Sequence, residues 1–299
     1  MEKKTLVVEV KRNSLDDGPG VRTVVFFKGC PLGCVWCQNP ETKSAAQEIA
    51  WTSDDCIGCG TCVDVCDANA IAFAGGYPIN RSRCSLCGVC VEQCRGRALK
   101  FAGREYSIDE LTKLIIKDEV FYRNTGGGLT LSGGEPTLHS EYLEQLLPPL
   151  KTRDIHVCLE TCGLYARDNF EQRILPYVDL VYFDLKLFDS AAHRFYCRAG
   201  NEIILANFAA LTRQKTVELV PRIPLVPGIT ATVDNLKKLR DYLASLGLSH
   251  VELLPYNPLW QSKLTTLGLK SEYERSTWMD QEEKETVREI FKLFDFEEF

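Results

Sequence analysis

Three of the 14 cysteines in this 299-residue chain lie close together and have the spacing of metal ligands. They are Cys30, Cys34 and Cys37, separated by three and by two residues. A cubane [4Fe–4S] cluster contains four irons, each usually held by one thiolate. Three cysteines can therefore hold three irons and leave the fourth open to a small molecule, much as a catalytic zinc site keeps one position free. The spacing predicts an iron–sulfur centre that binds a ligand directly.

The surrounding residues favour this interpretation over half of a zinc site, which a bare three-cysteine run could also be. The motif follows the apolar run from Val21 to Phe27, which predicts a buried strand. An aromatic residue, Trp36, precedes the third cysteine. We therefore expect the cysteines in the loop after a first strand, at the carboxyl end, where α/β barrels place their sites.

Eight further cysteines form two copies of one pattern, Cys-x2-Cys-x2-Cys-x3-Cys. Bacterial ferredoxins use this run, and the fourth cysteine of each copy binds the other of two [4Fe–4S] clusters. The predicted ligand sets are Cys56, Cys59, Cys62 and Cys94 for one cluster, and Cys66, Cys84, Cys87 and Cys90 for the other. Zinc is the competing interpretation, although zinc sites more often use paired Cys-x2-Cys knuckles.

The remaining cysteines and the histidines carry no such pattern. Isolated cysteines in apolar strands are usually small buried hydrophobic residues, so we expect no ligand role for them. These are Cys158, Cys162 and Cys197. The four histidines share no spacing and are expected to be structural; they are His139, His156, His193 and His250.

Composition excludes several classes of protein. The net charge is −6 and no basic patch is present, which argues against nucleic-acid binding. No stretch approaches about 18 consecutive apolar residues, so no membrane span is expected. Closely spaced thiols without a signal-peptide pattern predict metal binding in a reducing cytoplasm rather than disulfides. We expect a monomer.

Strand and helix patterns alternate along most of the chain and predict an α/β fold. A cysteine-rich insert, about residues 51–104, interrupts a larger domain formed by residues 1–50 and 105–299. Six strand patterns lie at residues 21–27, 129–132, 155–161, 178–185, 217–225 and 250–255. Their order is typical of a parallel sheet covered by helices. A capping box from Ser107 to Glu110 predicts a helix to about Tyr122, and Pro221 with Pro224 predict an irregular or edge strand.

The cysteine loop, together with Ser132-Gly-Gly-Glu-Pro136 after the second strand, resembles the radical S-adenosylmethionine (SAM) enzymes. The resemblance implies a partial (β/α)6 barrel, here with an inserted ferredoxin-like domain, and three [4Fe–4S] clusters in all. It implies that the open iron chelates SAM and that one electron cleaves it to methionine and a 5′-deoxyadenosyl radical. It assigns Gly133, Gly134 and Glu135 to the SAM amino group.

Charged residues at later strand ends are further candidates for contacts with SAM. Glu160 ends the third strand, and Asp184 and Lys186 follow the fourth. A carboxylate could accept hydrogen bonds from an ammonium or ribose, and Asp184 could hold a monovalent cation. Lys186 and Arg222 could pair with the SAM carboxylate. An ordinary surface ion pair is the alternative for Asp184 and Lys186. Asn257 stands where the resembled branch often has histidine, so no such contact is assumed.

The segment Asp17-Gly-Pro-Gly-Val-Arg22 narrows the resemblance to the glycyl radical enzyme activating enzymes, whose signature is Asp-Gly-Pro-Gly-Ile-Arg. The match extends over nearly the whole chain. It implies that the radical removes a Cα hydrogen from one glycine of a partner enzyme, and that Asp17 contacts the backbone of that glycine loop. It also implies flavodoxin or ferredoxin as the electron donor.

Two other functions remain open from the sequence. A radical SAM enzyme acting on a small molecule would share the cysteine loop, although the Asp-Gly-Pro-Gly segment argues against it. An iron–sulfur electron carrier could also hold three clusters, but it would need neither the Gly-Gly-Glu-Pro motif nor an open iron.

Overall fold

The computed structural model describes residues 3–297 and 299, which form two sheets and the helices around them. The strands are β1 (Lys4–Ser14), β2 (Arg22–Phe27), β3 (Glu48–Trp51), β4 (Leu99–Ala102), β5 (Arg104–Ser107), β6 (Gly128–Gly133), β7 (His156–Thr161), β8 (Leu180–Asp184), β9 (Glu218–Leu225) and β10 (Glu252–Pro255). The helices are α1 (Thr61–Asp64), α2 (Val89–Glu92), α3 (Ile108–Ile116), α4 (Glu119–Thr125), α5 (Ser140–Lys151), α6 (Arg167–Arg173), α7 (Ser190–Cys197), α8 (Glu202–Leu211), α9 (Val233–Ser245), α10 (Gln261–Thr266) and α11 (Gln281–Phe291).

The larger sheet has eight strands and is mainly parallel. Its order is β10-β9-β8-β7-β6-β2-β1-β5, so six strands follow chain order from β2 to β10. These six are parallel, because helices return the chain to the same end between strands. Only β1 and β5 run antiparallel to their neighbours. The predicted α/β fold with a parallel sheet is confirmed; the six predicted strands do not include β1, β3, β4 or β5.

The two faces of this sheet have different environments, because successive side chains in a strand point to opposite faces. Leu159 and Val181 belong to the main core, which also contains buried residues of α3, α5 and α9. Their strand neighbours Cys158 and Tyr182 lie in a separate small cluster. Polar residues follow on this second face towards the carboxyl ends of the strands, and this is where the candidate site lies.

The first helix after the insert is shorter than predicted. The capping box from Ser107 to Glu110 opens α3 as expected, but a second helix, α4, begins after a break. Asp118 lies at the break and is completely buried. Its carboxylate accepts hydrogen bonds from Arg12 Nε at 2.8 Å and Thr23 Oγ1 at 2.7 Å. These bonds to β1 and β2 draw the chain towards the sheet and interrupt the helix.

The prediction of an irregular or edge strand at residues 217–225 was wrong. Strand β9 lies inside the sheet and pairs with β8 on one side and β10 on the other. Pro221 pairs with Phe183 and Pro224 with Leu254. Each proline removes a single donor, and the pairing continues through its neighbours.

The insert has its own small core. Strands β3 and β4 pair antiparallel at its base. Ile49, Ile71, Ile79, Cys90 and Leu99 form its buried hydrophobic cluster. The two cysteine runs share one local structure, since each contains a four-residue helix preceded by a left-handed glycine, Gly60 or Gly88. Over the described part of the chain, no helix has the length and apolar character to cross a bilayer.

Helix packing on the main core can be tested at Leu143, a fully buried residue of α5. Leu143→Ala should lower the free energy of unfolding by about 2–5 kcal/mol, because it removes buried methyl groups and leaves a cavity. Leu293 is 86% exposed, and Leu293→Ala should change the free energy of unfolding by less than about 0.5 kcal/mol. Urea unfolding followed by circular dichroism would measure both. Equal effects would contradict the assigned packing.

Candidate active site

A cavity of about 320 Å³ lies at the carboxyl ends of the parallel strands. The three clustered cysteines line it. So do most other predicted site residues of the larger domain, namely Gly133, Gly134, Glu160, Asp184, Lys186 and Arg222. Residues far apart in sequence are brought together because parallel strands end at one edge of the sheet.

Backbone hydrogen bonds hold the cysteine loop on both sides. On one side, Cys30 N–H donates to Lys43 O at 3.1 Å. On the other, Gly33 N–H donates to Cys197 O at 2.8 Å, at the end of α7. The Lys43 ammonium also donates to Cys34 O at 2.8 Å. The protein itself therefore fixes the loop that presents the three thiols.

Two cysteines expected to be merely structural lie against the predicted ligands. The Cys162 thiol hydrogen-bonds with Cys30, and the Cys197 thiol with Cys34. Both are buried. The bond with Cys197 lowers the pKa of Cys34 to about 7, towards the thiolate that binds metals. Isolated cysteines carry no sequence signal for this, because the contacts form only when β7 and α7 meet the loop.

The side chain of Glu135 is completely buried and does not line the cavity. Its Oε1 accepts hydrogen bonds from Thr137 Oγ1 at 2.7 Å and Thr161 Oγ1 at 2.9 Å. Its Oε2 accepts one from Cys162 N–H at 2.7 Å, and its own N–H donates to Gly29 O at 2.8 Å. Glu135 thus joins the ends of β2, β6 and β7, and the adjoining glycines line the cavity.

The two glycines before Glu135 are required by close backbone packing. A Cβ at Gly134 would lie 2.1 Å from Gly29 O, and one at Gly133 would lie 2.4 Å from Phe27 N. Gly133 also has a φ of +109°, which favours glycine. Any side chain here would push apart the end of β2 and the turn after β6.

Arg222 lies among three carboxylates on the cavity side of the sheet. Its Nη1 donates to Glu160 at 2.6 Å, and its Nε is 3.5 Å from Glu252 and 4.0 Å from Asp184. The guanidinium carbon stands 4.8 Å from the ring centroid of Tyr182. Burial alone would lower the pKa of Arg222, but attraction to the carboxylates outweighs it and the pKa is raised. The sequence analysis missed Glu252, which has no motif around it.

Lys186 and Asp184 form an ion pair of 2.8 Å on the cavity wall. The Lys186 side chain is only 10% exposed, so the alternative of an ordinary surface ion pair does not describe it. Burial opposes the charge on Lys186, yet attraction to Asp184 raises its pKa. The ammonium is therefore held charged beside the cysteine loop.

The cavity fits the groups that the resemblance implies. Three thiols supply ligands for three irons. Cations and carboxylates both lie on the cavity wall. The cations can contact a ligand's carboxylate, and the carboxylates can contact its ammonium. In addition, the buried Arg222 Nε makes an ion pair with Glu252 at 3.5 Å but no hydrogen bond in the described structure. A buried donor of this kind favours a polar ligand nearby.

Each half of the insert encloses a smaller cavity lined by cysteines. One cavity, of about 290 Å³, is lined by Cys56, Cys59, Cys62 and Cys94. The other, of about 110 Å³, is lined by Cys66, Cys84, Cys87 and Cys90. Each cavity thus gathers three cysteines of one run and the fourth of the other, as the ferredoxin pattern predicts. Within residues 3–297 and 299, no histidine, cysteine or carboxylate groups converge as a single metal ion would require.

Asp17 is a predicted site residue that the structure keeps at a distance from the cavity. Strands β1 and β2 form a hairpin in which Ser14 pairs with Arg22, so Asp17 lies before the amino end of β2. Cys30 follows its carboxyl end, and a six-residue strand spans roughly 20 Å. The Asp17 carboxylate instead contacts Ser14 and Lys11, the latter at 3.3 Å.

Known proteins are similar to this chain in sequence and in fold. The family model described as the radical SAM superfamily matches residues 24–239. The trans-4-hydroxy-L-proline dehydratase activating enzyme of Clostridioides difficile is 36% identical, with 97% of each chain covered. The choline trimethylamine-lyase activating enzyme of Oleidesulfovibrio alaskensis is 35% identical over 99% of this chain and 97% of that enzyme. A radical SAM methyltransferase structure from Sphaerobacter thermophilus has a TM-score of 0.55 at 13% identity, covering 98% of this chain and 76% of its own; it shows the fold alone.

The parallel sheet, the cysteine loop at its carboxyl ends and the matched family model together define a radical SAM enzyme. Within that superfamily, the chain belongs to the glycyl radical enzyme activating enzymes, the family of its nearly full-length relatives.

The ligand roles of the cavity cysteines predict a specific loss of iron. Cys34→Ala should remove about four irons per chain, the content of one cubane cluster. Cys162→Ala is the matched control, because Cys162 lines the same cavity without a predicted ligand role. Iron and sulfide analysis after anaerobic reconstitution would measure both. Equal iron loss in the two variants would contradict the ligand assignment.

Proposed function

We propose that this enzyme cleaves SAM at the strand-end cavity and uses the resulting radical to activate a partner glycyl radical enzyme. The observation that carries the proposal is the convergence of three thiols with two cationic and three anionic side chains at one edge of the sheet. SAM carries a sulfonium, an ammonium and a carboxylate. A site with one more carboxylate than cation suits that balance.

Different residues of the cavity are proposed to hold the iron–sulfur cluster and SAM. Cys30, Cys34 and Cys37 hold the cluster and leave one iron open. When bound, this cluster supplies the electron that cleaves SAM to the 5′-deoxyadenosyl radical. Lys186 and Arg222 attract the SAM carboxylate. The carboxylates and the turn backbone accept hydrogen bonds from its ammonium and ribose, through Gly133, Gly134, Glu160 and Asp184. Asp184 is also the candidate ligand for a monovalent cation.

The insert, residues 51–104, is proposed to be a ferredoxin-like domain with two further [4Fe–4S] clusters. The crossed cysteine sets around its two cavities support this assignment. The remainder of the chain is then a partial (β/α)6 barrel, in keeping with the open sheet of six parallel strands. We further propose flavodoxin or ferredoxin as donor, a monomeric enzyme, and a cytoplasmic location.

The substrate is proposed to be a glycine of a partner protein, whose Cα hydrogen the radical removes. Similarity over almost the entire length of several activating enzymes supports this class of substrate. Glu135 contributes indirectly, by holding the turn that faces the cavity. Asp17 remains a candidate contact for the partner. Because it lies before the opposite end of β2, it would touch a part of the partner away from the reacting glycine.

Electron paramagnetic resonance of the reduced, anaerobically reconstituted enzyme tests this function. Adding SAM should change the signal of one cluster and leave two unchanged, and a glycyl radical should then appear on an added partner. An unchanged spectrum would instead favour an electron carrier. SAM cleavage coupled to turnover of a small molecule, with no radical on any partner, would favour the small-molecule alternative.

The charged wall can be tested separately at Lys186. Lys186→Met should weaken SAM binding about tenfold or more with unchanged iron content, because it removes a charged hydrogen-bond donor to the ligand. Lys151→Met is the matched control. Lys151 forms a similar ion pair of 2.7 Å with Asp179, and neither residue lines the cavity. Titration of the SAM-dependent signal would give both affinities. Equal affinities would remove Lys186 from the binding site.

A further inference from the structure

Arg81 of the insert contacts both the base of the insert and the larger domain. Arg81 donates a hydrogen bond from Nη1 to the carboxylate of Glu48, at the base of the insert, and one from Nη2 to Leu267 O. Leu267 follows α10 in the larger domain. The next residue, Gly268, packs so closely on the Tyr77 ring of the insert that a Cβ would lie 2.4 Å from it. The insert therefore rests directly on the segment after α10.

The same arginine is linked to the cysteine loop through a buried ion pair. Glu48 accepts a hydrogen bond from Lys28 Nζ at 2.9 Å, and Lys28 is completely buried. Lys28 Nζ also donates to Glu41 O at 2.7 Å. Lys28 stands two residues before Cys30, and Glu41 follows the cysteine loop. Alternating charges on Arg81, Glu48 and Lys28 thus lead from the insert to one end of that loop, and the Lys28 hydrogen bond to the Glu41 carbonyl reaches its other end.

A second set of bonds ties α10 to the cavity wall. Lys263 Nζ donates to Gln38 O at 3.0 Å, Asn39 Oδ1 at 2.9 Å and Glu41 Oε1 at 3.0 Å. Gln38 Nε2 in turn donates to Asn257 O at 3.2 Å. Gln38, Asn39 and Asn257 all line the cavity. The segment from 257 to 269, which we call the roof segment, is therefore held by the cysteine loop on one side and by Arg81 on the other.

We propose that the insert braces the SAM cavity, and that Arg81 is the positioning residue through which it fixes both the roof segment and the cysteine loop. This inference rests on the proposed SAM site. It gives the insert a mechanical role that does not depend on electron transfer through its clusters. Removing the guanidinium leaves the Leu267 carbonyl without this donor and takes one cation from Glu48, so both ends of the brace loosen.

The test compares three variants of the full-length, reconstituted enzyme. Arg81→Ala removes both contacts, and Arg81→Lys retains a charge that can restore one of them. Arg83→Ala is the matched control, because exposed Arg83 makes only a 3.5 Å hydrogen bond to Asn69 O within the insert. Iron content, SAM affinity from the resonance titration, and hydrogen exchange of residues 257–269 are measured for each.

The brace predicts that Arg81→Ala keeps the iron content of the parent and weakens SAM binding by about fivefold. Hydrogen exchange in the roof segment should become faster. Arg81→Lys should recover part of both effects, and Arg83→Ala should match the parent. A lower iron content in Arg81→Ala alone would assign Arg81 to cluster assembly and overturn the brace.

Two further outcomes separate this inference from the proposed function. If the parent responds to SAM but Arg81→Ala keeps the parent's affinity and exchange rates, the brace is wrong and the SAM site stands. If the parent itself shows no response to SAM, the proposed function fails. In that case, unchanged exchange in Arg81→Ala would also overturn the brace as a structural contact.

Discussion

The buried carboxylate of Glu135 is the interaction on which the site depends. Its side chain accepts hydrogen bonds from Thr161 at the end of β7 and from the Cys162 N–H, and its own N–H donates to Gly29 O, just before Cys30. A polar group removed from water is tolerated only when its oxygens are satisfied, and here several donors satisfy them. Three strand ends are thereby fixed at one point, so the cysteine loop and the glycine turn keep a set distance. Without these bonds, the loops that form the cavity would not be held in fixed positions.

The charged wall shows how a site can be polar and still buried. Arg222 is paired with Glu160, Glu252 and Asp184 and covered by an aromatic ring, so no single contact has to repay its desolvation. The pairs also hold each other in place before any ligand arrives. A ligand with both charges can exchange contacts with this network without leaving a buried charge unpaired. Such exchange explains why a wall of ion pairs is better suited than a wall of one sign to a ligand that carries both positive and negative groups.

The sequence was informative where chemistry or periodicity is local. Apolar runs located the six parallel strands, and ligand spacing located the three cysteine groups. Long-range contacts were beyond it. The Cys197 contact with Cys34 and the position of Glu252 beside Arg222 depend on which strand ends meet. The hairpin that carries Asp17 to the opposite end of β2 depends on pairing between β1 and β2, which a charged strand does not reveal. The motifs therefore identified functional residues more reliably than they predicted where those residues lie in the fold.

The position of the insert follows from the topology of the sheet. Strands β2 and β6 are parallel neighbours, so the chain between them must cross from the carboxyl end back to the amino end. The insert occupies the first part of this crossover, immediately after the cysteine loop, and α3 and α4 complete it. It must therefore start at the carboxyl edge, beside the cavity, where a buried lysine and an arginine can connect it to the loop. The insert adds no strand to the interior of the large sheet, which leaves the site intact.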